Sequence, residues 1–245
     1  MRRSVMCVFV IAVLVLLLAG PAAAQRQVTV EPVDPDGIRP LNIGPAGPAQ
    51  ACQVGNLNAP AWAIPGFILP PEEYKLVFDP SATCGNCPMG FDVSTVHVLL
   101  QTSSACDIVM AVDVEEVTYS ADSLCLMPGP EWCNSGLFTV ALPQAGVWNI
   151  GLPIDCPCLF TQNMFLLSFQ IQSVSCATVP DLITDAGPPS LCTNWNNYGT
   201  GWIDLVATFT GWPGDLIFFA DAECCSPPVP TEEKTWGQIK SLYRE

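Results

Sequence analysis

The sequence predicts an all-β protein: an antiparallel β-sandwich of jelly-roll or other Greek-key type, closed by a short C-terminal helix. Three observations predict it. Eight segments rich in Val, Ile, Phe and Thr are separated by Gly, Pro, Asn and Asp. No ten-residue stretch between them carries a capped helical period. Half of the 245 residues are apolar and only 13% are charged, which excludes a disordered chain.

Arg2-Arg3, an apolar run from Met6 to Ala19 and Pro21-Ala22-Ala23-Ala24 follow the order of a secretory leader, so residues 1–24 are expected to be removed. The run is ~14 residues, short of the ~20 that span a bilayer, and no later segment is long and apolar enough. Residues 25–50 are Pro- and Gly-rich and read as an extended arm, with Gln27–Val30 as one short strand. Residues 51–71, with Trp62, Phe67 and four prolines, read as irregular structure packed on the domain. The domain itself is set at 51–226.

Candidate strands are 74–78, 93–101, 108–119, 137–142, 147–152, 164–172, 202–209 and 216–220. In the third, Val112, Val114 and Tyr119 mix with Asp113, Glu115 and Glu116, which implies one buried and one wet face. Phe165-Leu166-Leu167 and Leu216–Phe219 are continuous apolar runs, as in strands covered on both sides. Residues 227–245 open with Pro227-Pro228-Val229-Pro230, a stiff linker. A capping box follows, Thr235 to Gln238, and Trp236, Ile239 and Tyr243, with Leu242 beside them, form one face of a short amphipathic helix. That face is expected to dock on the domain or on a partner.

Charge and cysteine content limit the function. The net charge of −15 becomes −17 when Arg2 and Arg3 leave with the leader, and Lys75 is the only fixed cation between Leu41 and Glu233. Such a chain does not take nucleic acid as a default partner. The twelve cysteines left after the leader (Cys52, Cys84, Cys87, Cys106, Cys125, Cys133, Cys156, Cys158, Cys176, Cys192, Cys224 and Cys225) read as a disulfide framework of an exported protein. Two short-loop pairs are expected, Cys125 with Cys133 across a Pro-Gly-Pro turn and Cys176 with Cys192. Cys224 and Cys225 are expected to bond elsewhere rather than to each other, because a bridge between neighbours needs unusual geometry. Zinc or redox readings of Cys84-x-x-Cys87 and Cys156-x-Cys158 rank below structural disulfides.

His97, the only histidine, lies in an apolar strand and reads as a hydrogen-bonded structural residue; no G-x-S-x-G or H-E-x-x-H motif is present. Carboxylates are abundant, with Asp113, Glu115 and Glu116 on one strand, Asp181 and Asp185 in a loop, and Asp215, Asp221 and Glu223 near the end. They suit a solvated acidic face first, calcium second and hydrolytic acids last, for which Asp113 and Glu115 point the same way on their strand. Asn194 to Trp202 places aromatics beside amides, and Trp195, Tyr198, Trp202 and Trp212 form a candidate glycan platform against the alternative of a turn whose rings cap the core.

Val229-Pro230-Thr231-Glu232 followed by Thr235-Trp236-Gly237-Gln238-Ile239-Lys240-Ser241-Leu242-Tyr243-Arg244 resembles the terminal tail of a group of secreted bacterial cysteine-rich β-sandwich proteins. The resemblance implies export and retention at the cell envelope, and carries no catalytic residue or cofactor. The function expected is therefore a non-enzymatic secreted or cell-surface protein with a structural or adhesive role and an envelope component as partner. A carbohydrate-binding module is the alternative, and a glycan hydrolase the third reading.

Overall fold

The computed structural model describes residues 28–42, 52–80, 87, 90–121, 124–159, 164–199 and 201–225. The expected leader, Cys84, and the tail with Trp236, Ile239, Leu242 and Tyr243 lie outside the described residues. The described chain runs β1 (Glu31–Pro32), β2 (Arg39–Asn42), β3 (Cys52–Gly55), β4 (Pro60–Ile64), β5 (Glu72–Phe78), β6 (Phe91–Thr102), β7 (Cys106–Ser120), β8 (Cys125–Asn134), β9 (Phe138–Leu142), β10 (Gly146–Leu159), β11 (Phe165–Val174), β12 (Asp181–Asp185), β13 (Asn194–Asn197), β14 (Trp202–Asp204), helix α1 (Leu205–Thr208) and β15 (Phe218–Cys224).

These strands make two packed sheets, antiparallel except for one pair, β2 with β10, as the fold class expected from the sequence requires. The first has the order β1-β4-β12-β6-β10-β2, with β15 also on β6 and β3 on β15; the second has the order β14-β13-β5-β11-β7-β8, with β9 also on β7. Period-two alternation fills the space between them. Tyr74 and Leu76 of β5, Ile108, Met110, Val112 and Val114 of β7, and Phe165, Leu167 and Phe169 of β11 meet Val96, Val98 and Leu100 of β6 and Ile150 and Leu152 of β10. Phe169 stacks on Tyr74 at 5.1 Å and meets Phe218 of the opposite sheet edge-on at 5.4 Å. Each such ring contributes ~1.5–3 kcal/mol by leaving water.

Three assignments from sequence are corrected. Residues 51–71 are not irregular: β3 pairs with β15 and β4 with β12. The 202–209 strand stops at Asp204, whose carboxylate accepts from the Val206 and Ala207 amides and so caps α1. The N-terminal arm is a strap. Its β1 pairs with β4 at one end of the first sheet and its β2 with β10 at the other, while Val33 and Ile38 between them pack on the sheet's outward Leu99, Val147, Ile183 and Ile217. The same short segment thereby covers the outer edge of β4 and the outer edge of β10.

The cysteine pairing differs from the short-loop expectation. The bridges are Cys87–Cys224, Cys106–Cys176, Cys125–Cys192, Cys133–Cys156 and Cys158–Cys225. Cys52 is disulfide-bonded as well. Cys125 and Cys133 cannot join, because they stand at opposite ends of β8 and a strand rises ~3.3 Å per residue, far beyond disulfide reach. Cys176 follows β11 of the second sheet; its segment crosses to β12 of the first before reaching Cys192, so Cys106 at the start of β7 is the nearer partner. Cys133–Cys156 ties one sheet to the other, and the adjacent Cys224 and Cys225 bond apart, to Cys87 and Cys158.

Candidate functional site

The outward face of the second sheet carries the densest polar chemistry among the described residues. Because side chains alternate along a strand, Glu73, Lys75 and Val77 of β5 face away from the core, as do Leu166 and Ser168 of β11 and Asp113 and Glu115 of β7. Register places Lys75 opposite Ser168, and Ser168 opposite Asp113; one row along, Val77, Leu166 and Glu115 are aligned. Lys75 and Glu115 are thus two strand spacings apart, about 10 Å between backbones. Both side chains are long, and they meet above the small Ser168: Lys75 Nζ donates to Glu115 Oε1. Lys75 Nζ also lies 2.8 Å from Glu73 Oε1, and Ser168 Oγ lies 3.0 Å from Glu73 Oε1 and 3.1 Å from Asp113 Oδ2.

A wet acidic face was expected here. Instead Lys75, Asp113 and Glu115 are 3%, 4% and 4% exposed. Register shifts around Glu115 interrupt the β7–β8 ribbon and bend it. Its far end reaches over β5 and β11, where Cys125 is bonded to Cys192 at the entry to β13. Val117, Leu126 and Met127 of the ribbon pack with Val77, Leu166, Trp195 and Trp202. Trp202 lies over the ammonium, its ring centroid 4.2 Å from Lys75 Nζ.

Burial sets the electrostatics. Desolvation, reinforced by the neighbouring Glu115 charge and opposed by Lys75, pushes the Asp113 carboxyl up to about 8. Burial also raises Glu115, against the pull of Lys75. Asp113 therefore holds a proton at neutral pH and hydrogen-bonds to Glu115. With both groups ionised, Asp113 Oδ1 and Glu115 Oε2 have no donor. Carboxylate oxygens of Glu73, Asp113 and Glu115 lie close enough together to share a cation, and the cation between Glu73 and Glu115 is Lys75.

The four candidate glycan aromatics do not share a surface. Trp195 and Trp212 are each 4% exposed, Trp195 under the ribbon and Trp212 in the sandwich core beside Phe67 at 5.2 Å. Tyr198 and Trp202 are half-buried. His97 is placed between Asn149 Oδ1 at 3.2 Å and Asp221 Oδ2 at 3.0 Å and stacks on Phe219 at 4.6 Å, the structural setting expected for it. Asp185 and Asp215 accept from Asn56, Asn58, Ser190 and Asn194 and tie loops together. Among the described residues no helix is long and apolar enough to cross a membrane.

Alternation along β7 places Asp113 and Glu115 on one face, whereas Lys75, two strands away, is visible in the sequence only as an isolated positive charge. The available signal was a lone lysine inside a strand of an otherwise cation-poor chain.

Residues 49–222 match the family model described as "Domain of unknown function (DUF7451)". No curated protein matches the chain. A solved structure of the cysteine protease and lectin-like domains of Cwp84, a surface layer associated protein of Clostridium difficile, aligns with a TM-score of 0.43 and 9% identity over 67% of this chain and 33% of that one. The chain thus spans about a third of the length of that structure's chain.

Proposed function

The chain belongs to the DUF7451 family, a domain of unknown function, and we propose that it is an exported, non-enzymatic β-sandwich with a structural or adhesive role outside the cell. One observation carries the reading: every described cysteine beyond the leader is in a disulfide, and one bridge joins the two sheets. Bridges at this density form and persist in oxidising compartments. The rest of the chemistry supports the same reading. His97, Asp185 and Asp215 are spent on scaffold hydrogen bonds. Lys75, Asp113 and Glu115 are closed off from solvent.

A carbohydrate-binding role is the second reading. It now rests on Tyr198 and Trp202, half-buried beside Asn197. Protease shaving and thiol labelling of intact producing cells test the first reading. The protein should be cleaved from outside and take up no thiol reagent before reduction. Protein that is protected inside the cell and labelled without reductant overturns it. A glycan array of the purified domain, with loss of signal in Trp202→Ala, would move the conclusion to the second.

A further inference from the structure

We propose that Lys75 and Glu115 condense after folding into an intramolecular isopeptide bond, Lys75 Nζ to Glu115 Cδ, with Asp113 as the proton shuttle. The bond would cross the central strand β11 and join β5 to β7 covalently. It is a modification site of this chain's own making and is independent of where the protein resides.

The geometry supplies each part. The nucleophile and the carboxyl are in direct contact and both are held by packing, so the reaction has the advantage of a fixed near-attack arrangement. Glu73 also touches Lys75, yet its side chain is 22% exposed whereas that of Glu115 is 5% exposed. Water at Glu73 favours the ion pair; its absence at Glu115 favours the neutral product. A buried ion pair retains much of its desolvation cost. Condensation removes both charges and releases a water molecule. Asp113 touches the reacting carboxyl and carries a proton at neutral pH. Ser168 steers its other oxygen. Trp202 lies over the ammonium end and adds to the cover of the cluster.

The step balances without a co-reactant. The Lys75 ammonium passes one proton to the Glu115 carboxylate. The free amine attacks Cδ, forming the C–N bond while the carbonyl pair moves onto oxygen. Asp113 gives its proton to the hydroxyl as the C–O bond breaks, and water leaves. Asp113 then takes a proton from the attacking nitrogen as the carbonyl re-forms. One ammonium and one carboxylate become one amide and one water, and nothing is oxidised or reduced. Afterwards the Asp113 proton donates to the amide oxygen, so Asp113 Oδ1, an orphan atom when ionised, keeps a partner.

The test is the intact mass of the mature chain after denaturation, full reduction and alkylation, followed by peptide mapping. The expected mass is one water below that calculated, with a branched peptide joining the Lys75 and Glu115 segments. Lys75→Arg should restore the calculated mass, and Asp113→Asn should leave the folded protein largely uncrosslinked. A mass equal to that calculated for the unaltered chain overturns the proposal, even if neither variant folds. So does a branch that maps to Glu73 or Asp113 instead of Glu115.

Discussion

Trp202 covers the Lys75 ammonium at 4.2 Å, and in doing so it separates the cluster beneath it from water. The contact joins strand β14, at the margin of the second sheet, to β5 inside it.

Trp202→Ala should therefore cost more than an edge residue usually does. The lost ring packing over the Lys75 side chain and the lost cover are together worth about 1–3 kcal/mol. Denaturant unfolding under oxidising conditions should show the loss as a lower midpoint. An unchanged midpoint would mean that the ring is not what seals the cluster.

Asp113 makes stability depend on pH in an unusual direction. Its carboxyl sits at about 8 in the fold, against about 3.9 in an unfolded chain. A raised carboxyl means that the native state binds more protons, so its contribution is full below pH ~4 and is lost as pH rises through ~8. Between those limits stability should fall by up to about 1.4 kcal/mol per pH unit, and Asp113→Asn should flatten the slope. A wild-type slope that is flat or rising over that window would contradict the assignment.

The Cys125–Cys192 bridge clasps the ribbon over the cluster. Replacing both cysteines with Ala should lower stability by about 2–4 kcal/mol and speed amide hydrogen exchange in β8 and on the outward side of β5. Reducing all bridges should lower the melting temperature by well over 10 °C, since even one such bridge is a large part of net stability. Exchange that stays slow in the double variant would show that packing alone holds the ribbon.

Trp212 packs edge-on against Phe67 at 5.2 Å in the main core. Trp212→Ala should cost about 3–5 kcal/mol. Trp195→Ala, at a site equally buried under the ribbon, should cost a similar amount. Calorimetry of both variants checks this. A mild effect at either site would return that ring to the list of candidate ligand contacts.

How much of this was legible in the sequence depends on range. Strands β5, β6, β7, β9 and β11 announce themselves because alternation and β-branched content are local properties. Strand β8 is hidden by Pro128-Gly129-Pro130, which reads as a turn and is tolerated only because β8 lies at the sheet margin. β4 begins at Pro60, and a missing ladder donor is tolerated at the first residue of a strand. The cysteine pairs are set by which strands become neighbours, so short loops mislead. Asp113 and Glu115 were placed on one face by counting along β7. Their burial was not legible, because the ribbon and Trp202 that cover them come from elsewhere in the chain.

The strap across the first sheet has a consequence for the order of events. Arg39 to Leu41 are synthesised early, yet their partners Trp148 to Ile150 emerge far later, and β1 waits for β4. Contacts this distant along the chain are slow to form. A segment made before its partners is thus among the last to find its place, and until then the edges of β4 and β10 are open to neighbouring molecules. Completion of the strap is a late step: the edges of β4 and β10 lie open to neighbouring strands until residues 31–42 have paired with them.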